Sequence, residues 1–231
     1  MTIRQTLLSF TLPLAPTKVR AFRGAMAEKA GLGHDLFHNH DNSNGGTRDY
    51  HHRYPLIQYA SWHDHAMITG LNEGSDELHA FIGRYDGKLK IMQEVQPMKI
   101  KAHLTQQFQL ALTAELHHYR IRQWLLREEK LAEWQSEQRL THRLELLEGW
   151  LSNSVISFAH GIGWRIPGRF DLHLTENPTV HRILNSRKLA YLSFDVEVAT
   201  NLVLPPLVGL GKSASEGFGR IYPQSFQWRF D

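Results

Sequence analysis

The order of strand-like and helix-like stretches is the feature of this sequence that most constrains its fold. In the first half, apolar runs of strand length alternate with stretches that carry apolar residues at helical spacing. The order is strand, helix, strand, strand, helix, strand. Strands are predicted at 3–12, 54–61, 66–71 and 89–95. A short helix is predicted to open at Pro16 and Thr17 and a second to span 73–85. This order is typical of the ferredoxin-like split βαβ unit.

The second half repeats the pattern. Neighbouring strands are predicted at 100–112 and 116–126, followed by a broken helical region over 127–158 and by strands at 169–174, 191–204 and 221–229. The sequence therefore predicts an α+β protein with two tandem ferredoxin-like (RRM-like, βαββαβ) lobes. The N-terminal lobe is expected over residues 1–96, and the C-terminal lobe, with a glycine-rich loop, over residues 97–231.

The composition excludes several classes of protein. The 231 residues include no cysteine, which excludes disulfide scaffolds, thiolate metal sites and cysteine nucleophiles. No apolar run approaches the roughly 18 residues of a membrane-spanning helix, so no membrane partner is expected. The formal charge of +3 permits a nucleic acid partner without requiring one. With no clear export signal and no cysteine, a cytoplasmic location is expected.

Histidine is the unusual residue of this chain, with 15 copies. Several lie within residues 31–53, a stretch rich in Gly, Asn and Asp that is predicted to form a long irregular loop. Long loops inside compact domains are usually functional or disordered. Because imidazole exchanges protons and binds metals near neutral pH, this loop is a candidate for chemistry.

A second candidate is the glycine-rich segment at 209–221, which repeats the pattern glycine, hydrophobic residue, glycine. A Walker A loop is excluded because Pro206 stands where that motif needs glycine, and a Rossmann fold is excluded because only 20 residues follow Gly211. Glycines let a phosphate backbone approach main-chain N–H groups, and Lys212 and Arg220 add positive charge. The same glycines would equally suit a bulged strand turn.

This paired glycine pattern, with a basic residue in its spacer, resembles the C-terminal signature of the RAMP superfamily of CRISPR-associated proteins. The surrounding residues 204–205, 208–212 and 217–219 are similar to the repeat-processing endoribonuclease family, CRISPR-associated protein 6. Three further segments resemble that family: Phe-Arg-Gly-Ala at 22–25, Phe-His-Asn-His at 37–40 with Arg-Tyr-Pro-Leu-Ile-Gln-Tyr at 53–59, and Ser-Phe-Ala-His-Gly-Ile-Gly-Trp at 157–164. Together these matches extend from residue 22 to residue 221.

The resemblance implies cleavage of CRISPR precursor RNA within its repeat, without a metal or other cofactor. The ribose 2′-OH attacks the adjacent phosphate and leaves a 2′,3′-cyclic phosphate and a 5′-OH. Family members often place a catalytic histidine between the first helix and the second strand, so His40, and after it His38, are the expected catalytic residues. Tyr50, Arg53 and Arg48 are expected to orient or stabilise the phosphate.

Both histidines also have other interpretations. His38 or His40 could simply bond backbone groups and pin the loop, or they could join His34 in a metal cluster, with Asp35 and Asp41 as additional ligands.

The RNA-binding prediction covers the glycine-rich segment and two arginines of the long helical region. Arg139 and Arg143 lie one helical turn apart and would face RNA, or pair with Glu145 or Glu148 on a solvated face. The full set is Gly209, Gly211, Lys212, Ser213, Gly217, Gly219, Arg220, Arg139 and Arg143.

Three functions remain open at this point. The first is a metal-independent endoribonuclease that matures CRISPR RNA. The second is a non-catalytic RNA-binding RAMP subunit of a CRISPR effector complex, and the third is a metal-dependent hydrolase that uses the histidine cluster. CRISPR repeat RNA is the expected partner, and the sequence leaves open both an effector complex and a homodimer.

Overall fold

The computed structural model describes residues 1–31, 33–38, 40–41, 49–50, 54–91, 93–184 and 190–224. Its first lobe contains, in chain order, β1 (Thr2–Pro13), α1 (Val19–Ala30), α2 (Asp35–His38), β2 (His40–Asp41), β3 (Asp49–Tyr50), β4 (Ile57–Trp62), β5 (His65–Leu71), α3 (Glu73–Ile82), β6 (Lys88–Ile91), β7 (Glu94–Pro97) and β8 (Ile100–Gln109). The main sheet has the order β4-β5-β1-β8, and every pair in it is antiparallel. This is the strand order of a ferredoxin-like lobe.

The second lobe has the same architecture. It contains β9 (Ala111–Leu125), α4 (Glu128–Ser136), α5 (Leu140–Gly161), β10 (Leu172–Leu174), β11 (Thr179–Leu184), β12 (Ala190–Val203) and β13 (Arg220–Pro223). The sheet order is β10-β12-β9-β13, and β11 pairs with β12 on the same side as β10. The prediction of an α+β fold with two tandem ferredoxin-like lobes is therefore confirmed.

The fourth strand of the first lobe differs from the sequence prediction. Residues 89–95 contribute to a separate β6–β7 hairpin, and β8 completes the main sheet by pairing with β1, with Thr6 opposite Thr105. The prediction that 100–112 opens the second lobe beside 116–126 was therefore wrong. Only Leu110, which is fully buried, separates β8 from β9. A hairpin needs a turn of at least about two residues, so the chain passes from one sheet to the other instead.

Each lobe buries its own apolar core between sheet and helices. In the first lobe, Phe10 and Leu78 belong to the core, and in the second, Leu151 and Phe158 of α5 pack against the sheet. The helical region predicted over 127–158 is indeed broken, into α4 and α5. None of the helices in the described ranges is long and apolar enough to cross a membrane.

The residues just before the glycine-rich segment pack on the face of the first sheet opposite its helices. Leu7 and Met67 form a small apolar cluster with Leu207, and the buried Gln5 side chain donates from Nε2 to the Pro206 carbonyl oxygen at 2.7 Å. This packing brings the glycine-rich segment of the second lobe against β4 of the first.

Candidate functional site

The glycine-rich segment is a tight loop that folds back on itself. Gly211, Gly217 and Gly219 have φ values of 77°, 88° and 67°, a region that residues with a Cβ rarely adopt. Leu210 N–H donates to the Gly219 carbonyl oxygen at 2.9 Å and so joins the two limbs of the loop. The conformational requirement of a bulged turn therefore accounts for three of the four glycines.

Gly209 has a different requirement, which is close approach. A Cβ added there would lie 2.6 Å from the Phe218 carbonyl oxygen on the opposite limb. The Gly209 N–H donates to Gln58 Oε1 at 2.8 Å, and its carbonyl accepts from the Tyr54 hydroxyl at 2.6 Å. Burial raises the pKa of Tyr54 well above its usual value, so this hydroxyl is a fixed donor to the loop.

The loop N–H groups are already engaged within the protein. Gly217 N–H donates to the Ala214 carbonyl and Gly219 N–H to the Gln123 carbonyl, both at 3.3 Å, in addition to the Gly209 bond. A phosphate cradle built from these three N–H groups, as the glycine spacing suggested, is therefore not available in this conformation.

The two cations of the segment have different environments. Arg220 is only 3% exposed and donates from Nη2 to Thr69 Oγ1 at 3.3 Å. Burial lowers the pKa of its guanidinium, which remains a cation because arginine begins so high. The prediction that Arg220 contacts RNA is corrected here, because its side chain lies between the two lobes rather than at the surface.

Lys212 lies on an open groove of about 1040 Å³. The groove is lined by the glycine loop, by the start of α4 and by α5, and it includes Arg127, Lys130 and His160. Ser213, next along the chain, is half-buried with a left-handed backbone (φ 58°). Lys212 is therefore the basic residue of the glycine segment that faces a cavity large enough for a nucleotide.

Arg139 immediately precedes α5, and Arg143 lies in the first turn of that helix, beside the connection to α4. Arg139 Nε lies 3.3 Å from Glu137 Oε1, and Arg143 donates to the Glu137 carbonyl at 2.5 Å with its guanidinium 4.9 Å from the centre of the Trp134 ring. These partners differ from the Glu145 and Glu148 that the helical spacing suggested. Neither arginine lines the groove that contains Lys212.

Two side chains donate hydrogen bonds to backbone carbonyls of the histidine-rich segment, at residues 37 and 38. Tyr59, fully buried, donates its hydroxyl to the Phe37 carbonyl at 3.2 Å, and Arg23 donates from Nη2 to the His38 carbonyl at 2.9 Å. Both carbonyls belong to the last turn of the short helix α2. Carbonyls in a last turn have no partner within the helix, so these two side chains supply one. The His38 side chain is half-buried, and its Nε2 has no partner among the described residues.

Arg23 also joins this segment to the glycine loop. Its Nη1 donates to Glu216 Oε1 at 3.2 Å, and both side chains are mostly buried. One guanidinium thus contacts the end of α2, near the front of the chain, and the glycine loop near its end. The two regions that the sequence singled out are therefore neighbours in space.

Two of the other predicted catalytic residues lie in the short β2–β3 ladder. His40 of β2 pairs with Tyr50 of β3, so these two candidates are opposite each other on the backbone ladder. Arg48 and Arg53 lie outside the described residues.

His34 has a structural role. Its Nδ1 lies 2.5 Å from Glu77 Oε2 and its Nε2 lies 2.6 Å from Arg84 Nη2, which ties the start of α2 to α3 and the turn after it. The two contacts fix the tautomer, because Arg84 can only donate. His34 is therefore not directed toward His38, and no group of three or more metal-ligating side chains occurs in the described part of the chain.

Sequence reasoning missed the residues that hold the site together. Arg23, Gln58, Tyr59 and Glu216 were not candidates, although the first three lie in segments that carried the family resemblance. Their partners are distant in the sequence, so no local spacing points to them.

Comparison with known proteins agrees with this architecture. The Cas6b N-terminal domain model matches residues 1–109, and the Cas6b C-terminal domain model matches residues 111–224. No curated protein sequence gives a significant match to the chain. The division between the two domain models falls between β8 and β9, where the chain passes from one sheet to the other.

Solved structures show the same fold at low sequence identity. A crystal structure of Cas6b has a TM-score of 0.85 at 18% identity, covering 96% of this chain and 100% of that one. A crystal structure of the CRISPR RNA processing endoribonuclease Cas6b has a TM-score of 0.72 at 18% identity with the same coverage. Csf5, the Cas6 crRNA endonuclease of CRISPR–Cas type IV, has a TM-score of 0.54 at 16% identity, covering 96% and 99%. Because the two domain models together cover nearly all of the sequence, this chain belongs to the Cas6b family.

Proposed function

We propose that this chain is an endoribonuclease that processes CRISPR repeat RNA. The observation that supports the proposal is the pair of hydrogen bonds from Arg23, one to the end of α2 and one to the glycine loop. We call this pair the Arg23 bridge. A strand of RNA that contacts Lys212 and continues past the loop would meet the segment of His38 and His40. The names of the solved neighbours, which include CRISPR RNA processing endoribonuclease, support the same activity.

The reaction proposed is transesterification by the RNA itself. His40 accepts the proton of the ribose 2′-OH as this oxygen forms a bond to the adjacent phosphorus. The P–O5′ bond breaks, and the 5′-oxygen receives a proton from a second group, for which His38 is the first candidate. The products are a 2′,3′-cyclic phosphate and a 5′-OH, so atoms balance without water or a metal. Tyr50 and Arg53 are proposed to stabilise the phosphorane charge.

An assay of cleavage in EDTA separates this proposal from the other two functions. The purified protein is incubated with repeat RNA in EDTA, beside RNA with one 2′-deoxy substitution at the cut site. We expect cleavage of the first RNA and none of the second, because the attacking group is removed. Binding of repeat RNA without cleavage would favour a non-catalytic subunit, and cleavage that stops in EDTA would favour a metal-dependent hydrolase.

Substitution of Lys212 by alanine is expected to weaken RNA binding and reduce its salt dependence. Each phosphate contact that is lost lowers the slope of log K against log salt concentration by about one unit. The measurement is the dissociation constant of repeat RNA over a series of salt concentrations. Lys90→Ala is the matched control, because Lys90 is exposed on β6 and outside the groove. An unchanged slope for Lys212→Ala would mean that Lys212 touches no phosphate.

Other partners and the cellular location remain predictions. A cytoplasmic location is expected from the sequence alone, which leaves open both association with an effector complex and formation of a homodimer.

A further inference from the structure

Two histidines and two threonines form a compact polar cluster on the helix-covered face of the first sheet, apart from the residues proposed for RNA cleavage. His79 Nε2 and His103 Nε2 lie 3.3 Å apart. Thr105 Oγ1 lies 2.9 Å from His79 Nε2 and 3.2 Å from His103 Nε2, and Thr6 Oγ1 lies 2.9 Å from Thr105 Oγ1 and 3.3 Å from His79 Nε2. We call this set the His79–His103 cluster.

Three elements bring the cluster together. Thr6 and Thr105 are opposite each other in the β1–β8 ladder, and His103 is two residues before Thr105, on the same face of the strand. His79 comes from the last turn of α3, which packs against β1. Thr6 is fully buried and forms the floor, whereas His103 is exposed and His79 is half-exposed. The two imidazoles are therefore open to solvent, beside the exposed Thr105 and above the buried Thr6 hydroxyl.

The spacing of the imidazole nitrogens matches two ligands of one metal ion. Zn²⁺ takes histidine nitrogens at about 2.0–2.1 Å in tetrahedral geometry, which places two ligand atoms about 3.3–3.4 Å apart. The observed separation of the two Nε2 atoms is 3.3 Å. We propose that His79 and His103 bind a divalent transition metal ion of the zinc type through Nε2.

The chemistry of the surroundings suits such an ion. Imidazole is a preferred ligand of Zn²⁺, Cu²⁺ and Ni²⁺. Within the described residues no third imidazole or carboxylate joins the pair, so the threonine hydroxyls and water fill the remaining positions. Bound there, the ion links α3 to β8 across the edge of the first sheet.

Binding is measured on the full chain after treatment with EDTA and removal of the chelator. Titration with Zn²⁺ in a calorimeter gives the number of ions bound, and Co²⁺ in place of Zn²⁺ gives a visible absorption spectrum that reports the coordination geometry. We expect the wild-type chain to bind one more ion than either His79→Gln or His103→Gln. We also expect a rise in Tm of about 5 to 10 °C when free zinc is about a hundred times Kd, and its loss in both variants.

The control separates this site from the other histidines of the chain. His173→Gln removes an imidazole that is 65% exposed on β10, outside the cluster, and it should bind as many ions as the wild type. His103 is exposed, so its substitution is not expected to prevent folding. The same number of bound ions in the wild type, His79→Gln and His103→Gln would overturn the proposal, and would leave the cluster as hydrogen bonds alone. Because the readouts are binding and Tm, this result is independent of any result on RNA cleavage.

Discussion

Replacing His40 by alanine is expected to lower the rate of repeat cleavage by about 10²–10⁴-fold, the range that a general acid or base contributes. The affinity for RNA should stay nearly the same, because a group that transfers a proton in the transition state adds little to ground-state binding. The rate is measured under single turnover with saturating protein, and the dissociation constant is measured separately on 2′-deoxy RNA. His38→Ala is expected to behave in the same way.

Combining the two substitutions tests whether the histidines act as a pair. Residues that serve one transition state are strongly non-additive, so the double variant should be only slightly slower than the slower single variant. His63→Asn is the matched control: His63 is exposed at the tip of the β4–β5 hairpin, and its φ of 46° is one that asparagine tolerates. Cleavage at the wild-type rate by both single variants would remove this segment from the active site.

Local patterns in the sequence were sufficient to predict most elements but not all of their pairings. The β4–β5 hairpin and the break between α4 and α5 each depend on nearby residues, and both were predicted. The partner of β8 depends on β1, about a hundred residues earlier in the chain, and no spacing within 100–109 encodes it. The strand was therefore recognised, whereas its sheet was assigned wrongly.

The candidate site shows the same division between local and distant information. Glycine spacing located the loop and its need for positive φ, because both are properties of a few adjacent residues. It did not predict that Gln58 would occupy the Gly209 N–H, nor that Arg220 would be buried against Thr69. Each of these contacts joins residues 151 positions apart. A basic residue in a sequence is a candidate for contact with RNA, but only a side chain that is exposed in the folded protein can make that contact.

Replacing Arg23 by methionine is expected to have the second large effect, slowing cleavage by about 10 to 100-fold. The free energy of unfolding should fall by about 1.5–3 kcal/mol, which is the range for hydrogen bonds to charged groups. The variant removes the donor to the His38 carbonyl and leaves Glu216, whose side chain is only 22% exposed, without this partner. Arg20→Met is the matched control on the same helix. Arg20 lies 4.0 Å from the same Glu216 oxygen, but its side chain is 74% exposed, so little change is expected.

The double variant Arg23→Met with Glu216→Gln separates a positioning role from a purely structural one. Removing the negative charge of Glu216 should restore most of the lost stability, because no unpaired carboxylate is left near the lobe interface. It should not restore the cleavage rate, because the His38 carbonyl still lacks its donor and α2 is free to shift. Stability is measured by thermal unfolding and the cleavage rate under single turnover, for the wild type, Arg23→Met, Arg20→Met and the double variant. If the double variant recovers rate and stability together, Arg23 acts on cleavage only by keeping the chain folded, and the bridge does not position the histidines.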